Sequence, residues 1–420
     1  MKIRVSPGKI NGKLAANPSK SAMQRAVAAA LLAKGTSTIH NPGISNDCLA
    51  ALEVAQKLGA EIEKTDDAVH IKGNGVAAKS EKINCGESGL GIRMFTPIAA
   101  LSDQKITIEA EGSLKTRPVD FFEEVLPKLQ VSCQTENGNP PITIQGPLTP
   151  ADISIDGSLS SQFLTGLLMA YASKASDETI HVRNLTSKPY IELTLDIMNR
   201  FGVKVEHDNL ENFHFKTKQS YQPTEYTVEG DWSGAAFLLV AGAVGGNINV
   251  GHLELNSTQS DKAILEAIKK AGADLEITEE RIIVRKSDLT AFEFDATQCP
   301  DLFPPIAALA ANCEGTTVIK GALRLTHKES NRSVALEEEF GKMGIEIKTE
   351  GDLMYIKGGT GIKSAKVHSH FDHRIAMACA VAAINADGSI EIEVAESVNK
   401  SYPEFWKHWN KIGGEAEEVI

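Results

Sequence analysis

The sequence predicts an α/β (α+β) protein of two similar domains, each holding three repeats in which buried helices are wrapped by short sheets. Three observations carry that reading: a phrase that recurs at a near-constant interval, helix-length runs that are apolar almost all round, and short β-branched strands between them. The phrase is apolar–Gly–apolar–charged–apolar. It stands at Leu58-Gly59-Ala60-Glu61-Ile62, Phe201-Gly202-Val203-Lys204-Val205, Ala271-Gly272-Ala273-Asp274-Leu275 and Met343-Gly344-Ile345-Glu346-Ile347. A degenerate copy is Leu129-Gln130-Val131-Ser132-Cys133, and Ile412-Gly413-Gly414-Glu415 closes the chain. Counted from Gly59 through Gln130, Gly202, Gly272, Gly344 and Gly413, the gaps are 71, 72, 70, 72 and 69 residues. Six units of about 70 residues therefore fill the chain, and a fixed interval is the mark of a repeat architecture.

Each unit reads as two helices separated and followed by short strands. The second helix ends at the phrase, where a glycine suits the left-handed residue that terminates a helix. Pro118, Pro189 and Pro403 stand at or near the first turns of second helices, where a missing N–H costs nothing. First helices are expected to begin near Lys20, Ser88, Ser160, Trp232, Asp301 and Asp372. Runs such as residues 26–33 (AVAAALLA) and 376–381 (AMACAV) have hardly any polar face, which places these helices in a core. Ile106-Thr107-Ile108, Ile142-Thr143-Ile144, Ile248-Asn249-Val250 and Ile390-Glu391-Ile392 read as strands. A chain of 420 residues exceeds the size of one core. The repeats divide it into residues 14–226 and residues 227–420. The leading segment 1–13 is too short for a unit and is expected to complete the last unit's sheet, so that the chain crosses between domains twice.

Composition narrows the function. A formal net charge of −12 argues against nucleic acid or an anionic membrane as the partner. The six cysteines are scattered, with no CxxC pair, and read as reduced thiols in a cytoplasmic protein. The N-terminal residues lack the apolar core of a signal peptide, and the apolar stretch 234–246 is too short to span a bilayer. No GxxxxGK[ST] phosphate loop is present, Gly73-Asn74-Gly75 does not continue as a dinucleotide fingerprint, and there is no GxSxG elbow, so no cofactor is expected. His368, His370 and His373 do not make a metal site, because Arg374 would repel the cation.

The chemistry gathers at the expected helix starts. A cation there opposes the helix dipole by about 0.3–1 kcal/mol. Yet Lys20, Arg25, Arg93, His373 and Arg374 lie in or near the first turns of first helices, and Arg117, Lys188, Lys328, Arg332 and Lys400 do so for second helices. Ser19, Ser21, Ser88, Ser160, Ser161, Gln162, Ser187 and Ser401 accompany them. Taken singly, each serine is an N-cap and each cation a solvated side chain. Together at one phase of the repeat they read as anion sites, converging on one cleft between the domains and taking phosphates and carboxylates. Asp301 and Glu329 share this neighbourhood and become candidates for proton transfer. Glu87 and Asp372 read as residues that order neighbouring loops.

The motifs resemble those of the 5-enolpyruvylshikimate-3-phosphate synthase family over essentially the whole chain. They are Asn17-Pro18-Ser19-Lys20-Ser21-Ala22-Met23-Gln24-Arg25, Glu87-Ser88-Gly89-Leu90-Gly91-Ile92-Arg93 and Gly112-Ser113-Leu114-Lys115-Thr116-Arg117-Pro118. Ser160-Ser161-Gln162, Ser187-Lys188-Pro189-Tyr190, Asp301, Lys328-Glu329-Ser330-Asn331-Arg332, Asp372-His373-Arg374 and Lys400-Ser401-Tyr402-Pro403 follow in the family's order. The resemblance implies three βαβαββ-type units per domain, with buried parallel helices inside the sheets in an inverse α/β barrel-like arrangement. It also implies transfer of the enolpyruvyl group of phosphoenolpyruvate to the 5-hydroxyl of shikimate 3-phosphate, by a monomer without metal or cofactor.

Carried over by motif, Ser21 and Arg25 would hold the shikimate carboxylate. Ser160, Ser161 and Ser187 would hold its 3-phosphate, with Gln162 and Tyr190 along the ring, and Lys20, Asp301 and Lys328 would also touch this substrate. Phosphoenolpyruvate would meet Lys20, Gly89, Arg93, Arg117, Gln162, Arg332, Arg374 and Lys400. Asp301, Glu329, Lys328 and Lys20 would be catalytic. Leu90 stands where many relatives have Thr, Glu87 where many have Asn, and Arg324 where some have Asn. Two rival readings are transfer to a UDP-N-acetylated sugar, which the absence of a Cys in Leu114-Lys115-Thr116-Arg117 disfavours, and a non-catalytic anion-binding scaffold, which would not need Asp301 and Glu329.

Overall fold

A computed structural model of the chain describes every residue except Leu159, Ser176, His327 and Ile420. The described residues form two compact units, Pro18–Glu229 and Met1–Asn17 with Gly230–Ile420. Each unit has its own apolar core and three four-stranded sheets.

One sheet shows the rule. Lys82–Asn84, Lys105–Glu109, Asn139–Gln145 and Ser132–Glu136 lie side by side in that order. The first two strands run parallel, with Lys82 opposite Thr107, and the other pairings are antiparallel. Parallel neighbours need a crossover, and the Gly89–Ala99 helix supplies it. The sheets of Ile153–Asp156, Glu178–Arg183, Asn212–Phe215 and Glu206–Asp208, and of Glu293–Asp295, Gly315–Lys320, Leu353–Gly358 and Glu346–Glu350, repeat the pattern. Each is a βαβαββ unit.

The other three sheets are closed by strands from distant chain. Ile10–Ala15 precedes the Lys20–Leu32 helix in sequence, but pairs in parallel with Gly246–Gly251, a strand of its own unit. Glu225–Thr227 precedes the Trp232–Gly245 helix, but pairs in parallel with Lys34–His40. The two strands have exchanged sheets at the points where the chain passes from one unit to the other. The leading segment therefore divides: Lys2–Ser6 lies between Ile390–Glu393 and Glu415–Glu418 in the last sheet, as expected, whereas Ile10–Ala15 does not. Without Ile10–Ala15, Gly246–Gly251 would present an unpaired edge.

The inner helices are Lys20–Leu32, Gly89–Ala99, Ser161–Ala172, Trp232–Gly245, Phe303–Ala310 and His373–Ala383. Every residue of Gly89–Ala99 and of His373–Ala383 is buried, in keeping with their lack of a polar face. Gly166 lets two of them approach: a methyl there would meet the Arg93 and Met94 carbonyl oxygens at 2.9 and 2.5 Å. The recurring phrase does one physical job throughout. Gly59, Gly202, Gly272, Gly344 and Gly413 all take positive φ, and in the degenerate copy Gln130 does the same at φ 62°. Pro189 sits in the first turn of Lys188–Arg200, and Pro118 and Pro403 stand just ahead of the segments that become helical at Phe121 and Phe405.

Candidate active site

In the unit that contains Gly230–Ile420, the site is built around one buried guanidinium. Asn331 caps the Arg332–Lys342 helix by accepting from the Val334 N–H, which puts Arg332 at its first turn with no exposed surface. A cation there opposes the dipole, and three carboxylates compensate. Arg332 donates from Nη1 to Asp301 at 2.8 Å, from Nη2 to Glu329 at 2.6 Å, and from Nε to Asp372 at 2.7 Å. Asp372 in turn caps the His373–Ala383 helix by accepting from the Arg374 N–H, and takes the Ser330 hydroxyl at 3.1 Å. It orders the neighbouring groups, as the sequence suggested.

Asp301 sits in the Pro300–Leu302 turn just ahead of the Phe303–Ala310 helix and is gripped by three cations. Lys328 Nζ lies 3.1 Å, Arg332 Nη1 2.8 Å and Arg374 Nη2 3.0 Å from its carboxylate. Burial pushes the Asp301 carboxyl up, but Arg374, Lys328 and Arg332 outweigh it and hold the group well below the usual carboxylate range. Burial likewise lowers the Lys328 ammonium, with Asp301 acting against the shift. Arg332 is costly to bury, yet Asp372, Glu329 and Asp301 keep it charged. Lys400 is buried at the end of the Ala395–Lys400 turn, which packs on the His373–Ala383 helix.

The Pro18–Glu229 unit carries the other expected residues at its helix starts. Ser19, Ser88 and Ser160 are N-caps, accepting from the N–H groups of Ala22, Gly91 and Gln162. Lys20 Nζ lies 2.9 Å from Asp47, a buried first-turn acid of the Asn46–Lys57 helix. Arg25 is buried and binds the Thr194 hydroxyl at 2.9 Å and the carbonyls of Ser21 and Tyr190 at 2.8 and 3.3 Å. Burial brings it down to about 10. Thr194 also meets Thr165 at 2.9 Å, so one network ties the helix bearing Ser21 to those following Ser160, Ser161 and Ser187. Ser187 holds φ 56° immediately before Lys188–Arg200, a strained conformation of the kind that collects at functional positions.

At the second inner helix, Arg93 donates to the Gly89 and Pro118 carbonyls at 3.2 and 3.1 Å. Arg117 lies against the same helix start, where a methyl on Gly89 would come within 2.6 Å of its Nη1. Only glycine allows that approach. Arg117 stands between the Gly112–Thr116 turn and the Phe121–Val125 helix rather than in a helix, and Lys328 and Lys400 likewise precede their helices.

Three residues in these networks were not singled out from sequence. Asp47 holds Lys20, Gln24 accepts the Ser88 hydroxyl at 2.8 Å, and buried Asp261 lies 3.7 Å from Arg374. Asp47 and Asp261 read in sequence as ordinary first-turn acids. Glu338, Glu339 and His370 bring three ligand-type atoms within 4.8 Å of one another. Lys342 already donates to both Glu339 oxygens at 2.8 Å, which answers the buried charge without a metal. No helix among the described residues is long and apolar enough to cross a membrane.

Comparison with known proteins shows the family. The family model for EPSP synthase (3-phosphoshikimate 1-carboxyvinyltransferase) matches residues 5–409. The chain is 38% identical over 418 residues to 3-phosphoshikimate 1-carboxyvinyltransferase of Clostridium kluyveri, covering 99% of this chain and 98% of that one. Against the protein of the same name from Methanocorpusculum labreanum it is 36% identical over 422 residues, covering the whole of both. EPSP synthase from Acinetobacter baumannii superposes with a TM-score of 0.84 at 26% identity, over 99% of this chain and 100% of the other. The enolpyruvyl transferase NikO from Streptomyces tendae shares the fold, with a TM-score of 0.80 at 15% identity, over 100% of this chain and 98% of the other. The chain belongs to the EPSP synthase (3-phosphoshikimate 1-carboxyvinyltransferase) family.

Proposed function

We propose that the chain transfers the enolpyruvyl group of phosphoenolpyruvate to the 5-hydroxyl of shikimate 3-phosphate and releases phosphate, the reaction its family carries out on the route to chorismate. The observation that carries the mechanistic reading is Asp301, ionised and held by Lys328, Arg332 and Arg374. In the first step the 5-hydroxyl oxygen bonds to C2 of phosphoenolpyruvate, the hydroxyl proton leaves to a base, and C3 takes up a proton. In the second, C3 gives up a proton as the C2–O bond to phosphate breaks.

A carboxylate bound by three cations is a weak base. By the family resemblance, Arg332 and Arg374 also take the carboxylate of phosphoenolpyruvate. When they turn to that ligand they withdraw from Asp301, whose proton affinity rises at the moment a base is needed. Glu329, bonded to the same Arg332, is assigned the proton exchange at C3, with Lys328 supporting both acids. Lys20, the Gly89 N–H, Arg93, Arg117, Gln162 and Lys400 complete the phosphoenolpyruvate set. Ser21, Arg25, Ser160, Ser161, Ser187 and Tyr190 take shikimate 3-phosphate. The cations stabilise the charged tetrahedral intermediate. We further infer a cytoplasmic monomer that works without metal or nucleotide.

The test is acceptor choice. Purified protein with phosphoenolpyruvate and chelator should release phosphate one-for-one with carboxyvinyl product when shikimate 3-phosphate is added, and not with a UDP-N-acetylated sugar. Release only with the UDP-sugar would move the chain to the rival transferase reading, and no release with either would leave an anion-binding scaffold.

A further inference from the structure

Asp261 is a buried carboxyl to which the transfer chemistry assigns no task. It lies in the Ser260–Ala263 turn with its side chain 2% exposed. The Ser260 hydroxyl donates to Oδ1 at 3.1 Å and the Ser233 hydroxyl donates to Oδ2. Arg374 Nη1 stands 3.7 Å from Oδ2. The other titratable groups facing it are Asp231, the cap of the Trp232–Gly245 helix, Asp301 from the Pro300–Leu302 turn, and the Cys299 thiol. Its neighbour Lys262 is committed elsewhere, donating to the Leu255 and Ser257 carbonyls at 2.7 and 3.0 Å. Among the described ion pairs Asp261 therefore has Arg374 as its cation, and shares it with Asp301.

Among the described ion pairs Arg374 serves two buried carboxyls, Asp261 at 3.7 Å and Asp301 at 3.0 Å. Burial first, and Asp301 second, already push the Asp261 carboxyl up to about 6. A ligand carboxylate on Arg374 adds another negative charge and draws away the cation that favours ionised Asp261.

We propose that Asp261 is a positioning residue that takes up a proton from solvent as a ligand carboxylate pairs with Arg374, releasing that guanidinium to the ligand. This rests on the reading of Arg374 as a ligand of the phosphoenolpyruvate carboxylate. Anion binding is then proton-linked. Affinity is highest where Asp261 is protonated and weakens as pH rises, by up to about tenfold per pH unit for one linked proton. The Ser233 hydroxyl supports the ionised form, so its removal raises the proton affinity of Asp261.

The experiment is KM for phosphoenolpyruvate at saturating shikimate 3-phosphate, from about pH 5.5 to about pH 8.5. It compares wild type, Asp261→Asn, Ser233→Ala and Arg374→Lys. Titration of the substrate itself is common to all and cancels in ratios. The wild-type to Asp261→Asn ratio of KM should climb with pH, and Ser233→Ala should displace that climb to higher pH. A purely structural role would give pH-independent ratios for both variants, and that result overturns the proposal. If Arg374→Lys leaves KM unchanged at every pH, the assignment of Arg374 has failed and takes the proposal with it. If Arg374→Lys raises KM while the Asp261→Asn ratio stays flat, the proposal alone has failed.

Discussion

Arg332→Leu is the sharpest test of how the carboxylate cluster is held. The guanidinium is fully buried and bonds three carboxylates at 2.6 to 2.8 Å. Leucine fills much of the volume but leaves Asp301, Glu329 and Asp372 facing one another without their common cation. Removing one partner of a buried ion pair typically costs about 3–5 kcal/mol. In a unit of about 200 residues each kcal/mol moves the melting temperature by ~2–4 °C, so the loss should be ~6–20 °C near neutral pH. The pH dependence carries a sign. Asp301 is held below its unfolded value, so its stabilisation is present above the ordinary carboxylate range and lost as pH falls through the depressed value. Without Arg332 the carboxyls accept protons more readily, and acid relieves their repulsion. The gap between wild type and variant should be widest near pH 7.5 and narrow toward about pH 5. Scanning calorimetry at the two pH values measures it. A gap below ~2 °C, or one equal at both pH values, would refute the picture of a cation holding like charges together.

Three further outcomes follow from single contacts. Gln130→Gly should stabilise the protein by up to about 1–2 kcal/mol, because Gln130 occupies a left-handed position that glycine fills in the other five repeats; denaturant midpoints decide it, and a destabilised variant would contradict it. Gly89→Ala should raise KM for phosphoenolpyruvate several-fold with little change for shikimate 3-phosphate, since the new methyl displaces the Arg117 guanidinium; equal effects on both substrates would mean a general distortion. Asp47→Asn should lower kcat/KM by roughly 10- to 100-fold, the equivalent of losing a charge-assisted hydrogen bond to Lys20, with the melting temperature nearly unchanged. Unaltered kinetics would show that Asp47 does not position Lys20.

The repeat was legible because its marker residue does the same backbone work each time: Gly59 and its four glycine counterparts all end a helix at positive φ. The buried helices were legible from their composition. The exchange of Ile10–Ala15 and Glu225–Thr227 was not, because a strand's own pattern is the same whichever parallel partner it meets. Within the site, Arg332 and Arg374 stood out as cations placed against a helix dipole, and Asp301 by its company. Asp47 and Asp261 obey the dipole rule, so nothing local separates them from solvated first-turn acids. What sets them apart is burial beside Lys20 and Arg374, which depends on segments far apart in the chain. Arg117, Lys328 and Lys400 lie a few residues ahead of their helices because turns intervene.

On the proposed function, the Asp301–Lys328–Glu329–Arg332 cluster handles the protons of an addition–elimination. Single-turnover reaction of both substrates in heavy water, followed by analysis of hydrogen at C3 of the product, tests it most directly. Wild-type protein should introduce solvent deuterium at C3, and Glu329→Gln should slow that incorporation by about 100-fold or more while still binding both substrates. Product that forms at full rate with its C3 hydrogens untouched would show that the cluster does not move these protons.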